Sequence, residues 1–464
     1  MVAATGTAGH LEWTGRAGRV RALSVWTERR AGHGEDAEPL ALHHVPSGTG
    51  LVAVFDGSGG SGAAPAWRPG PDGETYSGAW VGARAARLGT ERWFQRAVER
   101  GEPDTPDRLA EHLRGTLRAA ASATRSKITG SMRRALPTTL AAVAYRLGDR
   151  DVRWRALWAG DSRAYALLPG SGLHALSRDH TTVADTLEQL RQDPPMTNVL
   201  CADRPFTVSS QPALGPGRFP LPCVLLSATD GFFGYVHTPA LFEYQLLHTL
   251  AQSHDMAGWA ARLRETVQKY TADAASLSLV ALGFEDFARF AQVFRERYLS
   301  MTDTYVSSFP ESYAPQEPGG PDPLRAWQKA TWGSYRTGYE RFMPPLPEKR
   351  PEQGPQQGQQ QRAVRRPEVR PGPLGTVGAS ARTYPQDIPR SLDALFEQWG
   401  YARSQMAVME QSAKRLVLFA PEEEPWKEAI GEEWDLTLHF PSKAGEGLEE
   451  FEMDEIIETI ANSL

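Results

Sequence analysis

Cysteine is scarce in this sequence, where Cys201 and Cys223 are the two among 464 residues. Their spacing matches no zinc motif, and two thiols do not make a disulfide framework. We therefore exclude a zinc site built from cysteine and histidine, and also a small scaffold stapled by disulfides.

Long apolar runs and an excess of positive charge are also missing. No stretch approaches the roughly 18 consecutive apolar residues that a membrane-spanning helix needs. The first 13 residues lack the basic start and apolar core of a signal peptide. A net charge of -6 gives no general attraction to nucleic acid. We therefore expect a soluble cytoplasmic protein with neither a nucleic-acid partner nor a membrane partner.

What the sequence does contain is best seen at residues 51–57, LVAVFDG. Five apolar residues suit a buried strand, and the strand would end on Asp56, followed by Gly57. A carboxylate at the end of a buried strand is costly unless a cation compensates it. The pattern fits either a metal or phosphate site or an ordinary Asp-Gly turn.

The same arrangement returns further along the chain. Asp161 follows an apolar run at residues 152–159, Asp230 follows another at 224–228, and Asp273 precedes a third at 275–282. Repetition favours the metal site over the turn. Hard oxygen ligands of this kind suit Mg²⁺ or Mn²⁺.

The loop at residues 27–37 adds adjacent carboxylates at Glu35 and Asp36, close to Arg29 and Arg30. These could bind a metal and an anion, or could form ordinary solvated ion pairs. Elsewhere the pattern predicts two helices over residues 79–131 covering one side of a sheet. It also predicts an antiparallel meander over 138–176, a helix opening at 179–182, and helical segments over 239–271.

The order of these motifs resembles the metal-dependent protein phosphatases, the PPM or type 2C Ser/Thr family in its bacterial form. The matching pieces are EDA at 35–37, VFDGSGG at 54–60, TTL at 138–140, AGDSR at 159–163, SRDH at 177–180, ATDG at 228–231 and DAAS at 273–276. They cover roughly residues 15–285. The resemblance implies an α+β fold: an α-β-β-α sandwich of two antiparallel sheets flanked by helices.

The resemblance also implies roles for individual residues. Asp56 would bridge two Mn²⁺ or Mg²⁺ ions and the Gly57 carbonyl would bind one of them. Asp230 and Asp273 would hold one ion, Glu35 and Asp36 the other, and Asp161 with Asp230 a third where one is present. The catalytic residues would then be Asp56, Asp230 and Arg30, acting with a metal-activated water.

Two positions depart from the family pattern. The phosphate-binding arginine usually lies four residues before the first glutamate, where this chain has Ala31, so Arg30 or Arg29 would have to take that role. Ser58 replaces a histidine proposed as the general acid in eukaryotic members. The segment between Asp179 and Phe219, which governs substrate choice in the family, also matches only in part.

The chain extends well beyond the motifs. We predict a phosphatase domain at 1–285, a helical extension at 286–343 packed on it, a disordered linker rich in Pro, Gln and Arg at 344–382, and an acidic α+β module at 383–464. In that module we expect a helix from Ser391, strands at 416–420 and 434–440, and a helix over 448–464.

Two functions fit these observations. The first is a phosphatase that hydrolyses phosphoserine and phosphothreonine in a protein substrate, opposing a Ser/Thr kinase. The alternative is a catalytically weak or inactive phosphatase fold that binds a phosphoprotein or scaffolds a signalling complex. The C-terminal module would be a partner-binding or regulatory module, or alternatively a structural appendage.

Overall fold

The computed structural model describes residues 5–15, 18–28, 32–68, 74–101, 104–122, 134–213, 215–310 and 322–346, with four strands nearer the C-terminus. The chain divides into two compact units, Met1–Pro345 and Leu346–Leu464.

Fourteen strands are described in the first unit. They are β1 Thr5–Gly15, β2 Gly18–Glu28, β3 Leu40–His44, β4 Thr49–Val54, β5 Pro65–Trp67, β6 Tyr76–Ser77, β7 Leu140–Leu147, β8 Asp151–Ala159, β9 Arg163–Leu168, β10 Gly172–Ala175, β11 Ser209–Gln211, β12 Gly217–Pro220, β13 Cys223–Ala228 and β14 Ala275–Leu282. One sheet has the order β1-β2-β14-β13-β9-β10, and the other has β11-β8-β7-β4-β3 with β12 also on β8. Every pair in both sheets is antiparallel. β5 and β6 form a separate hairpin.

The two sheets pack face to face through a buried apolar interior. Val52 and Val143 reach it from the second sheet, and Ala166 and Val280 from the first. Leu51, the chain neighbour of Val52, belongs instead to the apolar cluster on the outer face. Because both faces of the central strands are covered, these strands appear in the sequence as nearly unbroken apolar runs.

Helices form the two outer layers. They are α1 Gly59–Gly62, α2 Gly78–Arg100, α3 Pro106–Ser122, α4 Thr186–Gln192, α5 Asp230–Phe233, α6 Pro239–Ala251, α7 Met256–Tyr270, α8 Phe287–Met301, which runs into a π-helical turn at Thr302–Val306, and α9 Pro323–Tyr339. α2 and α3 pack on the second sheet through residues such as Ala83 and Leu113. Trp259 of α7, Phe290 of α8 and Tyr339 of α9 pack on the first sheet. No helix of the described residues is long and apolar enough to span a membrane.

The predicted α-β-β-α sandwich is therefore confirmed, and so is the packing of the aromatic helix α9 on it. Two local predictions were wrong or incomplete. The helix expected to open at residues 179–182 begins at Thr186 and is capped by Asp185, whose side chain accepts from the Leu187 and Glu188 amides. The edge strand β1 was not predicted, because its sequence TGTAGHLEWTG is too poor in apolar residues to signal a strand.

In the second unit the structure describes a four-stranded sheet. Its strands are β15 Ala407–Gln411, β16 Leu416–Phe419, β17 Leu436–Pro441 and β18 Leu448–Glu452, in sequence order across the sheet. Two of them agree with the predicted strands at 416–420 and 434–440. The prediction of a helix over 448–464 was wrong at its start, because β18 pairs antiparallel with β17 there. The predicted helix from Ser391 and nearly all of the predicted linker lie outside the described residues.

Candidate functional site

One end of the sandwich gathers the strand-end aspartates, and Asp56 lies two residues beyond β4 at that end. Its carbonyl accepts hydrogen bonds from the Thr138 hydroxyl and the Thr139 amide, both at 2.7 Å. Its own amide donates to the Thr139 hydroxyl at 3.3 Å. Gly57 makes a β-bridge to Thr138. The backbone of Asp56 is thus fixed at the point where β7 begins.

Asp161 reaches the same end from β8. Ala159 pairs with Leu140 in the β7–β8 register, and Gly160 then turns the chain with a φ of +101°. A side chain at Gly160 would collide with Thr139, in addition to the backbone strain. The Thr139 and Ser162 hydroxyls share a 2.6 Å hydrogen bond, which ties the turn to β7.

The first sheet contributes Asp230 and Asp273 at this end. The Thr229 amide donates a hydrogen bond to the Ser276 carbonyl, and the Thr229 hydroxyl accepts one from the Ser276 amide, both at 2.9 Å. Asp230, the first residue of α5, therefore lies beside the start of β14, where exposed Asp273 precedes the strand. The Thr229 hydroxyl also donates to the Asp36 carboxylate at 3.0 Å, which links this sheet to the β2–β3 loop.

The β2–β3 loop brings in Glu35 and Asp36. The Ala37 amide donates to the Phe55 carbonyl at 3.0 Å, so this loop runs beside the end of β4. The Ser77 hydroxyl donates to Glu35 at 2.7 Å. Asp36 is buried, with an exposed fraction of 2%. The six carboxylates predicted as ligands, together with Gly57, therefore lie at one end of the sandwich, with contributions from both sheets.

The carboxylates lie close enough to perturb one another's pKa values. Burial raises the pKa of Asp56 well above its ordinary value, and the charges of Asp36, Asp230, Asp161 and Asp273 raise it further. Burial likewise raises the pKa of Asp36 to about 8, with Asp273 and Asp230 adding to the effect, while hydrogen bonds to its carboxylate oppose it. Such a cluster is unfavourable unless protons or cations neutralise it.

Among the residues that the structure describes, no three Asp, Glu, His or Cys side chains lie in an arrangement that could hold a metal ion. The carboxylates are near enough to repel each other but do not converge on one point.

Glycines keep the region between the carboxylates open. A Cβ atom at Gly57 would come within 2.7 Å of the carbonyl oxygens of Glu35 and Ala79. A Cβ at Gly59 would collide with the Glu35 carboxylate. The glycine spacing after Asp56 is therefore a steric requirement of the site, as well as a turn signal.

The predicted phosphate-binding residue Arg30 lies outside the described residues, together with Arg29 and Ala31. Ser58, which stands where eukaryotic members have a histidine, is buried. His33, a loop residue near Glu35, hydrogen-bonds to Glu74 and stacks on Tyr76 with ring centroids 5.2 Å apart.

Three side chains at the site were not predicted. The hydroxyls of Thr229 and Ser77 orient Asp36 and Glu35, respectively. Arg84 of α2 donates to the Gly34 carbonyl at 3.2 Å, and burial lowers the pKa of its guanidinium to about 10. Thr229 lay within a quoted motif, whereas nothing in the sequence pattern connected α2 to the loop.

Comparisons with known proteins found no matching family model and no matching curated protein. Solved structures do match. A bacterial serine phosphatase is 15% identical with a TM-score of 0.40, covering 61% of this chain and 99% of its own. The PPM Ser-Thr phosphatase MsPP from Mycobacterium smegmatis, in complex with cacodylate, is 17% identical with a TM-score of 0.37, covering 60% of this chain and 98% of its own.

A third is the catalytic domain of the serine threonine protein phosphatase PstP with two manganese ions. It is 14% identical with a TM-score of 0.34, covering 60% of this chain and 99% of its own. At such identities and TM-scores we base nothing about the chemistry on these matches. The structures that resemble this chain are bacterial Ser/Thr phosphatases of the PPM type, the family that the order of motifs predicted.

Proposed function

We propose that this chain is a phosphatase that depends on Mn²⁺ or Mg²⁺ and hydrolyses phosphoserine and phosphothreonine in proteins. One observation carries the proposal: aspartates from both sheets lie at one end of the sandwich, where burial, and then their charges, raise the pKa of Asp56. A purely structural core gains nothing from such an arrangement, because like charges held close together in a buried region destabilise the fold.

The residues fit a hard divalent cation. The cluster offers carboxylate oxygens and the Gly57 carbonyl, the ligands that Mg²⁺ and Mn²⁺ prefer. Glycine at 57 lets the backbone next to Asp56 pack against the Glu35 carbonyl, and glycine at 59 leaves room for the Glu35 carboxylate. The residues that would hold two ions are Glu35, Asp36, Asp56, Gly57, Asp230 and Asp273, with Asp161 available for a third.

The bound ions would lower the pKa of a coordinated water and offset charge on the phosphate. Hydrogen bonds within the chain hold the ligand residues in position. Thr138 and Thr139 fix the backbone of Asp56, and the Thr229 hydroxyl orients the Asp36 carboxylate. A phosphate monoester is an anion that uncompensated carboxylates repel, so substrate binding requires the cluster to be neutralised first. Arg30 would supply further positive charge for the phosphate.

The test is Mn²⁺-dependent hydrolysis of a phosphothreonine peptide by wild type and by Asp230→Asn. We expect the variant to lose about a hundredfold in rate, equivalent to roughly 3 kcal/mol of transition-state stabilisation. Asp149→Asn is the matched control, because this exposed aspartate lies in the β7–β8 turn at the opposite end of the same strands. It should retain full activity.

If wild type is no faster than Asp230→Asn, the enzymatic proposal is wrong. The chain would then be better described by the alternative, a phosphatase fold that binds a phosphoprotein or scaffolds a complex without turnover.

Some predictions from the sequence remain untested. These are the domain boundaries at 285, 343 and 382, the opposing kinase, a protein partner for residues 383–464, and a cytoplasmic location. We retain them as part of the proposal.

A further inference from the structure

A cavity of about 280 Å³ opens beside the carboxylate cluster. Its lining includes His33, Glu35, Thr75, Tyr76, Ser77 and Trp80. Pockets for whole small-molecule ligands begin at about 300 Å³, so this one is sized for a side chain and its immediate neighbours.

The walls of the cavity are aromatic. Tyr76 and Trp80 lie with ring centroids 4.2 Å apart, and His33 stacks on Tyr76. Trp67 of the β5–β6 hairpin supports both, at 5.3 Å from Tyr76 and 5.8 Å from Trp80. Trp67 is 42% exposed, so this group of rings faces solvent and is not part of the core. Aromatic groups of this kind are typical of surfaces that bind other chains.

The cavity is continuous with the candidate metal site through Glu35. That residue lines the cavity, accepts the Ser77 hydrogen bond, and packs its backbone against Gly57. A peptide whose phosphate lay among the carboxylates would therefore place a neighbouring residue at the cavity.

The rings, and not the charges around the cavity, select among possible occupants. Glu74 is already paired with His33, and Glu35 belongs to the ion site. Arg84 lies 3.8 Å from the centroid of the Trp80 ring, and Arg68 donates to the Thr75 hydroxyl at 2.7 and 2.9 Å. These two guanidinium groups lie behind lining residues and offset the charge of Glu35, so the rings determine the choice of occupant and favour an apolar or aromatic side chain.

We infer that this cavity is a specificity subsite that binds a large apolar side chain, preferably aromatic, next to the phosphorylated residue of the substrate. The inference rests on the proposed function, since it assigns a substrate class to the same site.

The experiment compares phosphothreonine peptides carrying Phe, Ala or Lys at each of the two residues before and after the phosphothreonine. Wild type should prefer Phe to Ala in kcat/KM by about tenfold at one or more positions, the size expected when one ring packs in an aromatic pocket. Tyr76→Ala should reduce that ratio to near one, and Tyr76→Phe, which retains the ring, should preserve it. Leu88→Ala is a further control, because Leu88 is an exposed apolar residue of α2 that does not line the cavity.

Binding is measured separately, by fluorescence anisotropy with the same labelled peptides and Asp230→Asn, which leaves the peptides intact. The same Phe preference in Kd, lost in Asp230→Asn combined with Tyr76→Ala, supports the subsite.

Equal turnover and equal binding of all peptides, a preference for Lys, or an unchanged Phe preference in Tyr76→Ala would overturn the inference. If wild type hydrolyses none of the peptides, the proposed function fails and the binding measurement alone decides whether the subsite exists.

Discussion

Replacing Asp36 with asparagine should stabilise the metal-free protein, although Asp36 is a buried residue with a hydrogen-bonded side chain. The pKa of Asp36 is about 8 in the folded chain against an ordinary value of 3.8. That gap sets a ceiling of roughly 6 kcal/mol on the cost of ionising Asp36 in the folded state, at about 1.36 kcal/mol per pKa unit. Asparagine carries no charge and can still accept from the Thr229 hydroxyl.

The direction in which stability changes with pH follows from proton binding. A carboxyl group with a raised pKa binds its proton more tightly in the folded state, so stability falls as pH rises from about 4 to about 8. The advantage of Asp36→Asn over wild type should therefore grow across that range and then level off. After relaxation of the site we expect the variant to be more stable than wild type by about 2 kcal/mol at pH 8, or by roughly 3 °C in Tm for a unit of this size.

The assay is thermal unfolding in EDTA and in Mn²⁺ at several pH values, with Asp149→Asn as the neutral control. In EDTA at pH 8 the Asp36→Asn protein should melt higher than wild type. In saturating Mn²⁺ the order should reverse, because ion binding stabilises wild type and the variant has lost a ligand. A lower melting temperature for Asp36→Asn in EDTA would refute the reasoning, since Asp36 would then be a stabilising acceptor and not part of a strained cluster.

Two further substitutions distinguish a residue needed at the ion site from a residue that stabilises the fold. Gly59→Ala should abolish Mn²⁺-dependent hydrolysis because its methyl group collides with the Glu35 carboxylate. Gly115→Ala, in open space on α3, should raise stability by about 0.5–1 kcal/mol and keep activity. An active Gly59→Ala would contradict the role assigned to Glu35 as a metal ligand. Glu243→Gln should lower the free energy of unfolding by about 3 kcal/mol in urea titrations. Its buried carboxylate accepts from a guanidinium of α8 and a tyrosine hydroxyl of α9. Exposed Glu296→Gln should change little, and equal unfolding midpoints for the two variants would show that the buried pair contributes nothing.

The sequence predicted the sandwich and the positions of its acidic residues because each aspartate lies next to an apolar run. A strand buried on both faces leaves a nearly unbroken apolar signal, and Asp56 and Asp230 stand at the ends of such runs. Antiparallel pairing then brings these strand ends together, as the Ala228 pairs with Leu277 and Arg163 show.

The helix start at residue 186 was mispredicted because of tertiary contacts. Asp179 was expected to begin the helix, but it forms a buried ion pair with Arg163 at 2.7 Å. The Thr181 hydroxyl donates to the Val183 carbonyl. Neither side chain is available as a cap, so the helix starts after Asp185.

The aromatic cavity could not be predicted either. Residues 61–78 are rich in Gly, Pro and Trp, a composition typical of a loop, yet they contain the β5–β6 hairpin. Contacts between Trp67, Tyr76 and Trp80 depend on that hairpin lying against α2. No periodicity in the sequence predicts this packing. In the second unit, the acidic stretch at 448–452 has helical composition, but pairing with β17 makes it a strand.

A calorimetric titration of Mn²⁺ into wild type, Asp56→Asn and Asp149→Asn tests the metal site most directly. Asp56 receives charge repulsion from four other aspartates, so it should be the residue on which ion binding depends most. We predict saturable Mn²⁺ binding to wild type and to Asp149→Asn, and its loss in Asp56→Asn. Binding of equal affinity and stoichiometry to all three proteins, or to none of them, would contradict a metal centre at the end of this sandwich.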